Sequence, residues 1–282
     1  MSAALHPTPL GPPGSYLAVG HVVIDVLENG ERRPGGTALY SALQAARLGL
    51  AATIVTRGVP AEVEAALEPW AAELELIVQP SQATTTLGTA GTGTARRQRV
   101  LAWAGPVELG ALPDAAILHL APVAAELSGG APGEWRFVGL TPQGLARGWG
   151  RTGAPIVTRE APGDLVAAAG RCDAIVLSEL ERDSCAALVR RGLRGGATVA
   201  VTAGPDDTEL ILADGTTRRL PVGAVEQAVD DLGAGDVYAA AFFVRLAAGA
   251  EPAQAAGFAH AAAALRLRGI GPEAIATAAE LA

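Results

Sequence analysis

The chain has 282 residues, a formal net charge of −8 at pH 7 and a composition that is 50% hydrophobic. That length accommodates one large α/β domain with a substantial core. The acidic balance, with no basic run longer than short groups such as "RRQR", excludes an extended nucleic-acid-binding surface.

No uninterrupted apolar run reaches the length of a membrane span, and "MSAALHPTPLGPPGS" lacks the charged start and apolar centre of a signal peptide. The expectation is a cytoplasmic protein with no membrane partner and a short disordered tail over residues 1–15. Cys172 and Cys185 have neither metal-ligand nor redox spacing and read as reduced structural thiols. All 21 basic residues are arginine, so no step can use a lysine as Schiff base or as phosphate-binding ammonium.

From the N-terminus, "SYLAVGHVVIDV", "TALYSALQAARLG", "AATIVTRG" and "AEVEAALEPWAAEL" alternate β-type and helical patterns. The Thr-rich segment Gln82 to Gly105, with glycines at its middle, predicts a hairpin projecting from the sheet. The β-type rhythm resumes in "AAILHLAPV", "RFVGLT", "APIVTRE", "DAIVLSEL" and "ATVAVTAG". "TELILADGTTRRLPV" predicts a second hairpin around an Asp-Gly turn. Thereafter the pattern is helical to the end, through "VYAAAFFVRLAAG", "AQAAGFAHAAAALRLRG" and "PEAIATAAELA". Near-continuous apolar strands between helices predict an α/β fold, a central mostly parallel sheet with helices on both faces. With no internal repeat and no long linker, residues 16–282 form one expected domain, with a small lid hairpin near 82–105.

Ligands of open α/β sheets bind beyond the C-terminal ends of the strands, where Asp25, Gly35, Gly36, Glu179, Glu181 and Gly204 fall. The segment "VDDLGAGDVYAAAFFVRLAAG" places Gly233, Gly235 and Asp236 directly before a long helix. A helix N-terminus offers free N–H groups and partial positive charge, so a phosphate can sit there with Asp236 beside it. Gly and Asp also make ordinary turns and N-caps, and context must decide between the two. A nicotinamide-dependent dehydrogenase is excluded by the lack of GxGxxG after the first strand.

Taken together, "DDLGAGD" (Asp230 to Asp236), "RRPGGTALYSALQAARLGL", "ILHLAPV" and "ATVAVTAG", in this order, resemble the ribokinase-like (PfkB) carbohydrate kinase family over about Tyr16 to Leu281. "GLTPQGLAR" with "TTT" and "RRQR" looks like the subgroup of inositol-kinase-like and uncharacterised sugar-kinase-like members. The resemblance implies ATP-dependent, Mg²⁺-assisted phosphorylation of a hydroxyl on a sugar, cyclitol or nucleoside, by a monomer or homodimer. It assigns the anion hole to Gly233, Ala234 and Gly235 and proton acceptance to Asp236. Asp25 matches the substrate-holding aspartate, with a strand-end cap as its ordinary alternative; Gly35 and Gly36 match a di-glycine segment beneath the substrate. On the nucleotide side it points to Ser178, Glu181, Thr202, Gly204 and His260, Glu181 organising Mg²⁺ through water. His260 serves equally well as a packing residue among alanines.

Three departures bear on this. Ser178 replaces the family's asparagine, Asp231 adds negative charge before the GAGD segment, and only nine residues separate Asp25 from Gly35, too few for a multi-stranded lid insert. The first two motivate the alternative of a non-catalytic ligand-binding or regulatory protein on the same fold. The third gives closure to the hairpin from Thr84 to Leu101, with either Arg97 or Arg99, one but not both, reaching the substrate or phosphate.

Overall fold

The structure, a computed structural model, describes residues 14–223, 225 and 228–282. The first strand, β1 (Ser15–Val19), turns Tyr16 and Ala18 to one face and Leu17 and Val19 to the other, all four fully buried. A strand apolar on both sides requires cover on both sides.

In chain order follow β2 (Val23–Leu27), β3 (Arg32–Gly35), α1 (Thr37–Arg47), β4 (Ala51–Gly58), α2 (Pro60–Leu67), β5 (Leu74–Pro80), β6 (Thr86–Ala90) and β7 (Arg97–Ala102). The middle of the chain forms β8 (Ile117–Leu120), β9 (Phe137–Leu140), β10 (Arg147–Gly148), β11 (Val157–Thr158), α3 (Gly163–Ala169), β12 (Ala174–Ser178) and α4 (Ala186–Gly195). The remainder is β13 (Thr198–Ala203), β14 (Asp206–Ile211), β15 (Thr217–Leu220), α5 (Ala234–Ala247) and α6 (Pro252–Arg266).

Nine strands make the central sheet in the order β15-β14-β13-β12-β9-β8-β1-β4-β5. The strands from β13 across to β5 pair in parallel, whereas β14 and β15 return antiparallel at one edge. Leu39, Leu43, Phe242, Phe243 and Ala259, from α1, α5 and α6, cover the Tyr16 face. Leu165 and Leu188, from α3 and α4, cover the opposite face with Leu17, Ile175 and Val199. The parallel sheet with helices on both faces is therefore as expected, and its strand ends converge on one edge.

A second sheet, β3-β2-β6-β7, stands as a lid. Residues 26–34 are short for an insert, yet they hold a turn with Gly30 at φ 82° and all of β3 but its last residue. The lid is consequently two hairpins joined through the parallel pair β2 and β6, not a lone hairpin near 82–105. Of the expected tail, residues 1–13 lie outside the described residues, and Ser15 already belongs to β1.

Two local expectations fail. "APIVTRE" forms only the exposed two-residue β11, paired with β10 outside the main sheet. After the short 3₁₀ turn Pro272–Ala274 the chain does not resume a helix. Arg47 Nη1 takes the carbonyls of Pro272, Glu273 and Ile275, and Gln44 Nε2 takes that of Ala276. Those carbonyls are the acceptors a helix would need, and Ile275 and Ala276 bury their side chains instead.

Candidate active site

The loop before α5 is shaped by a glycine. Gly233 caps the helix at φ 77°, and a Cβ there would stand 2.4 Å from the Tyr40 ring. Val237 is the first amide to bond back along the helix, to Gly233 O at 2.9 Å. The Gly235 and Asp236 amides are left without a helical acceptor, and Gly235 is exposed.

The loop is held from behind by Arg266 of α6, fully buried. Its guanidinium bonds Asp230 Oδ2 (2.9 Å) and the carbonyls of Asp230, Leu232 (2.5 Å) and Gly269, and sits 5.2 Å over the Tyr40 ring. Asp230 also accepts from the amides of Leu232 and Gly271 at 3.0 Å each. Burial alone would raise its pKa, but those amides and Arg266 outweigh it and hold the carboxyl below its ordinary range.

Asp236, in the first turn of α5, is in the opposite condition. Burial pushes its pKa up to about 6, partly opposed by the Thr37 hydroxyl, Arg147 and Arg96, while Glu181 adds to the rise. A carboxyl tuned to that range is suited to exchanging a proton near neutral pH.

Asp25 stands on β2 in the lid and is buried, its Oδ1 accepting from Thr89 Oγ1 at 2.8 Å. Burial raises its pKa, with Thr89, Arg96 and Arg147 opposing. Gly35 makes room for it, since a Cβ there would lie 2.4 Å from Asp25 Oδ2. Gly36, at φ 96°, begins α1, where a Cβ would meet His21 O at 2.5 Å. The di-glycine pair thus seats the aspartate and starts the helix.

The arginines differ from expectation. Arg97 and Arg99 are two residues apart on β7, which puts them on the same side of the strand, and both are exposed. Arg97 donates to the carbonyls of Thr94 and Arg96 in its own loop. It is Arg96 that turns inward, pairing with Asp231, whose other oxygen takes the Gly93 amide at 2.7 Å. The extra acid before GAGD is therefore neutralised, and it ties the lid tip to the anion-hole loop. Arg147, within electrostatic reach of both Asp25 and Asp236, was not singled out in sequence. Arg147 ends "GLTPQGLAR" and Arg96 begins "RRQR", segments that carry the resemblance but gave neither arginine a role.

On the other side of the edge, Ser178 and Glu181 form a reciprocal capping box, Glu181 Oε2 accepting the Ser178 amide at 2.7 Å. Glu181 has no ion-pair partner within 4.0 Å among the described residues, and its charge is felt at Asp236 and Arg147. Thr202, next to last in β13, pairs with Ser178, and Gly204 follows the strand at φ 66°, exposed. The neighbouring cleft is lined by Glu179, Arg182, Ala203, Asp207, Glu209 and Arg219, with neither Asp25 nor Asp236 in its wall. His260 Nε2 meets Thr208 Oγ1 at 2.9 Å, and the ring centroid lies 5.1 Å from that of Tyr238. That arrangement is packing between α5, α6 and β14. Among the described residues no group of three or more His, Cys, Asp or Glu side chains is arranged to hold a metal ion.

The architecture is that of the ribokinase-like kinases. Solved structures sharing it include a pyrophosphate-dependent kinase in the ribokinase family complexed with a pyrophosphate analog and myo-inositol, at 19% identity and a TM-score of 0.75, over 92% of this chain and 98% of that one. Ribokinase from Thermotoga maritima matches at 20% identity and a TM-score of 0.69, over 95% and 97% of the two chains. The Burkholderia thailandensis nucleoside kinase in complex with inosine matches at 16% and 0.75, over 95% of each chain. No curated protein matches significantly. Residues 164–278 match the model of the pfkB family carbohydrate kinases. The fold is thus the ribokinase-like one, and the pfkB match lies in the C-terminal part of the chain.

Proposed function

We propose that the chain transfers the terminal phosphoryl group of ATP to a hydroxyl of a sugar, cyclitol or nucleoside. The observation that carries this is a half-buried carboxyl tuned to about 6, Asp236, at an open helix N-terminus, with a second, buried carboxyl, Asp25, that shares with it the electrostatic reach of Arg96 and Arg147. Asp25 has two oxygens, one occupied by Thr89, and the other accepts from a substrate hydroxyl. Asp236 takes the proton of the attacking hydroxyl late in the transfer, when a weak base in the right place suffices. The amides from Gly233 to Asp236 and the α5 dipole stabilise charge on the transferred group.

Mg²⁺ fits Glu181, whose carboxylate is oriented by the Ser178 amide and is not consumed by an arginine. Glu181 would hold it through water, and the ion when bound neutralises phosphate charge. Thr202 and Gly204 flank the donor at the neighbouring strand end; His260 stays in the packing role described above. The departures at Ser178 and Asp231 are absorbed by a capping box and an ion pair, which favours a working enzyme over a non-catalytic binding protein.

A second donor is supported by one observation, that structures of this fold include pyrophosphate-dependent kinases. The test is a turnover screen with ATP and with pyrophosphate, each with Mg²⁺, across sugars, inositols and nucleosides. Turnover with ATP is expected. Turnover with pyrophosphate alone replaces the donor, and no turnover with measurable ligand binding replaces the enzyme by a binding protein.

A further inference from the structure

Arg147 occupies a place that the backbone specifies closely. It follows the 3₁₀ turn Pro142–Ala146 at the C-terminal end of β9, and Gly144 in that turn lies flat against the chain leaving β8. A Cβ on Gly144 would stand 2.4 Å from the Pro122 carbonyl carbon and the Val123 nitrogen. The Gly144 amide donates to Pro122 O (3.2 Å), and its carbonyl accepts from Ala125 (3.0 Å). Ala125 is at φ 53°, a conformation non-glycine residues seldom adopt, which brings the Val123 and Ala124 amides onto the buried carboxylate of Glu126. The same carboxylate holds the His21 amide after β1 at 2.8 Å. Onto this tied-down segment Arg147 Nη1 donates, to Val123 O at 2.9 Å.

That is the one hydrogen bond the guanidinium makes among the described residues, out of five N–H donors. No carboxylate lies within 4.0 Å, whereas Arg266, Arg96 and Arg182 are each matched by an acid. Yet Glu181, Asp236, Glu126 and Asp25, from four different parts of the fold, all act on it electrostatically, against a burial that lowers its pKa. A half-buried cation with open donors and no matched anion within 4.0 Å is free to take an anionic ligand. Its neighbours name the ligand's position: between the acid that holds the acceptor hydroxyl and the acid that takes its proton. A chain without lysine must use arginine there.

We propose that Arg147 is a catalytic residue that binds the non-bridging oxygens of the phosphoryl group as it passes from donor to acceptor. The acceptor oxygen forms a bond to the terminal phosphorus while the donor's bridging P–O bond breaks, its electron pair leaving with the donor oxygen. The acceptor's proton goes to Asp236, and Arg147 stays protonated throughout, supplying N–H groups that tighten as charge spreads over the transferred oxygens. This rests on the kinase reading, and the test separates the two.

Arg147→Gln, Arg147→Lys and, as a surface control, Arg190→Ala are compared with wild type in steady-state phosphoryl transfer and in calorimetric binding of inorganic pyrophosphate. Arg147→Gln should lower kcat by about 10²-fold or more, the scale for removing one preorganised donor, with acceptor KM changed by only a few-fold. Arg147→Lys should recover part of kcat, because it restores charge without the fork. Pyrophosphate affinity should fall about tenfold in Arg147→Gln, as loss of a charge-assisted contact implies, and stay unchanged in Arg190→Ala. A kcat for Arg147→Gln close to wild type overturns the proposal, as does a lowered kcat with lowered thermal stability and unaltered pyrophosphate affinity. If wild type transfers no phosphate to any acceptor, the kinase reading has failed and pyrophosphate binding alone judges Arg147. Weaker binding in Arg147→Gln then upholds an anion site, and equal or absent binding in both proteins overturns it.

Discussion

Replacing Asp236 by Asn should make the protein more stable at alkaline pH while nearly abolishing turnover. Burial sets the Asp236 pKa at about 6, against an ordinary 3.8. Between those values the folded chain binds the proton that the unfolded chain has released, so stability is greatest below about 4 and falls as pH rises through 6. Keeping the carboxylate ionised in the folded site at pH 8 therefore costs ~3 kcal/mol. An amide of the same shape removes that cost. Asp236→Asn should gain up to about 3 kcal/mol at pH 8 and less than about 1 at pH 4.5, where the native carboxyl is already mostly protonated. Urea unfolding at both pH values measures this, and the melting temperature at pH 8 should rise by roughly 2–4 °C per kcal/mol. The same variant should lose about 10²-fold or more in kcat. An equal stability change at both pH values would refute the burial argument, and unchanged turnover would remove Asp236 from proton transfer.

In the wild-type enzyme kcat/KM should decline below about pH 6 as Asp236 protonates; a profile flat to pH 5 contradicts the base assignment. Arg266→Leu should destabilise the fold by about 3–5 kcal/mol in denaturant titration, because it strands the ionised Asp230; a loss below 1 would show that the pair is dispensable. Asp231→Asn, which loosens a partly exposed ion pair, should cost no more than about 1 kcal/mol. It should nonetheless speed amide exchange at residues 93–96, and unaltered exchange there would mean that the lid tip is held by other contacts. Gly233→Ala should lower turnover and cost about 1–3 kcal/mol, since the Cβ meets both a left-handed backbone and the Tyr40 ring. Full activity in that variant would show the loop to be more adaptable than its packing implies.

The parts of the protein legible in sequence are those governed by neighbours along the chain. "SYLAV" is apolar at successive positions and must be buried on both faces; "LADGTT" turns at Asp214 and Gly215, the latter at φ 85°. GAGD before an unbroken apolar run announces a helix start with free amides, and its glycine is found in the left-handed region. Periodicity and turn stereochemistry act over a few residues, so a single segment contains the information. The C-terminal "PEAIATAAELA" marks the limit of that information. Its helix propensity yields to Arg47 and Gln44, which reach from α1 to claim its carbonyls.

The charge arrangement of the site was decided by tertiary structure alone. Arg96, rather than its neighbour Arg97, faces inward because the loop Gly93–Ala95 precedes the strand and Asp231 waits across the gap. Asp230 and Arg266 are 36 residues apart in sequence and meet only when α6 packs behind the loop. Arg147 reaches the region of Asp25 and Asp236 because Gly144 fits the backbone after β8, a match between segments with no shared sequence pattern. A guanidinium at the end of a long flexible side chain is placed by the carbonyls and carboxylates that surround it in space. Those come from strands whose order in the sheet, unlike their order in the chain, is set by long-range burial.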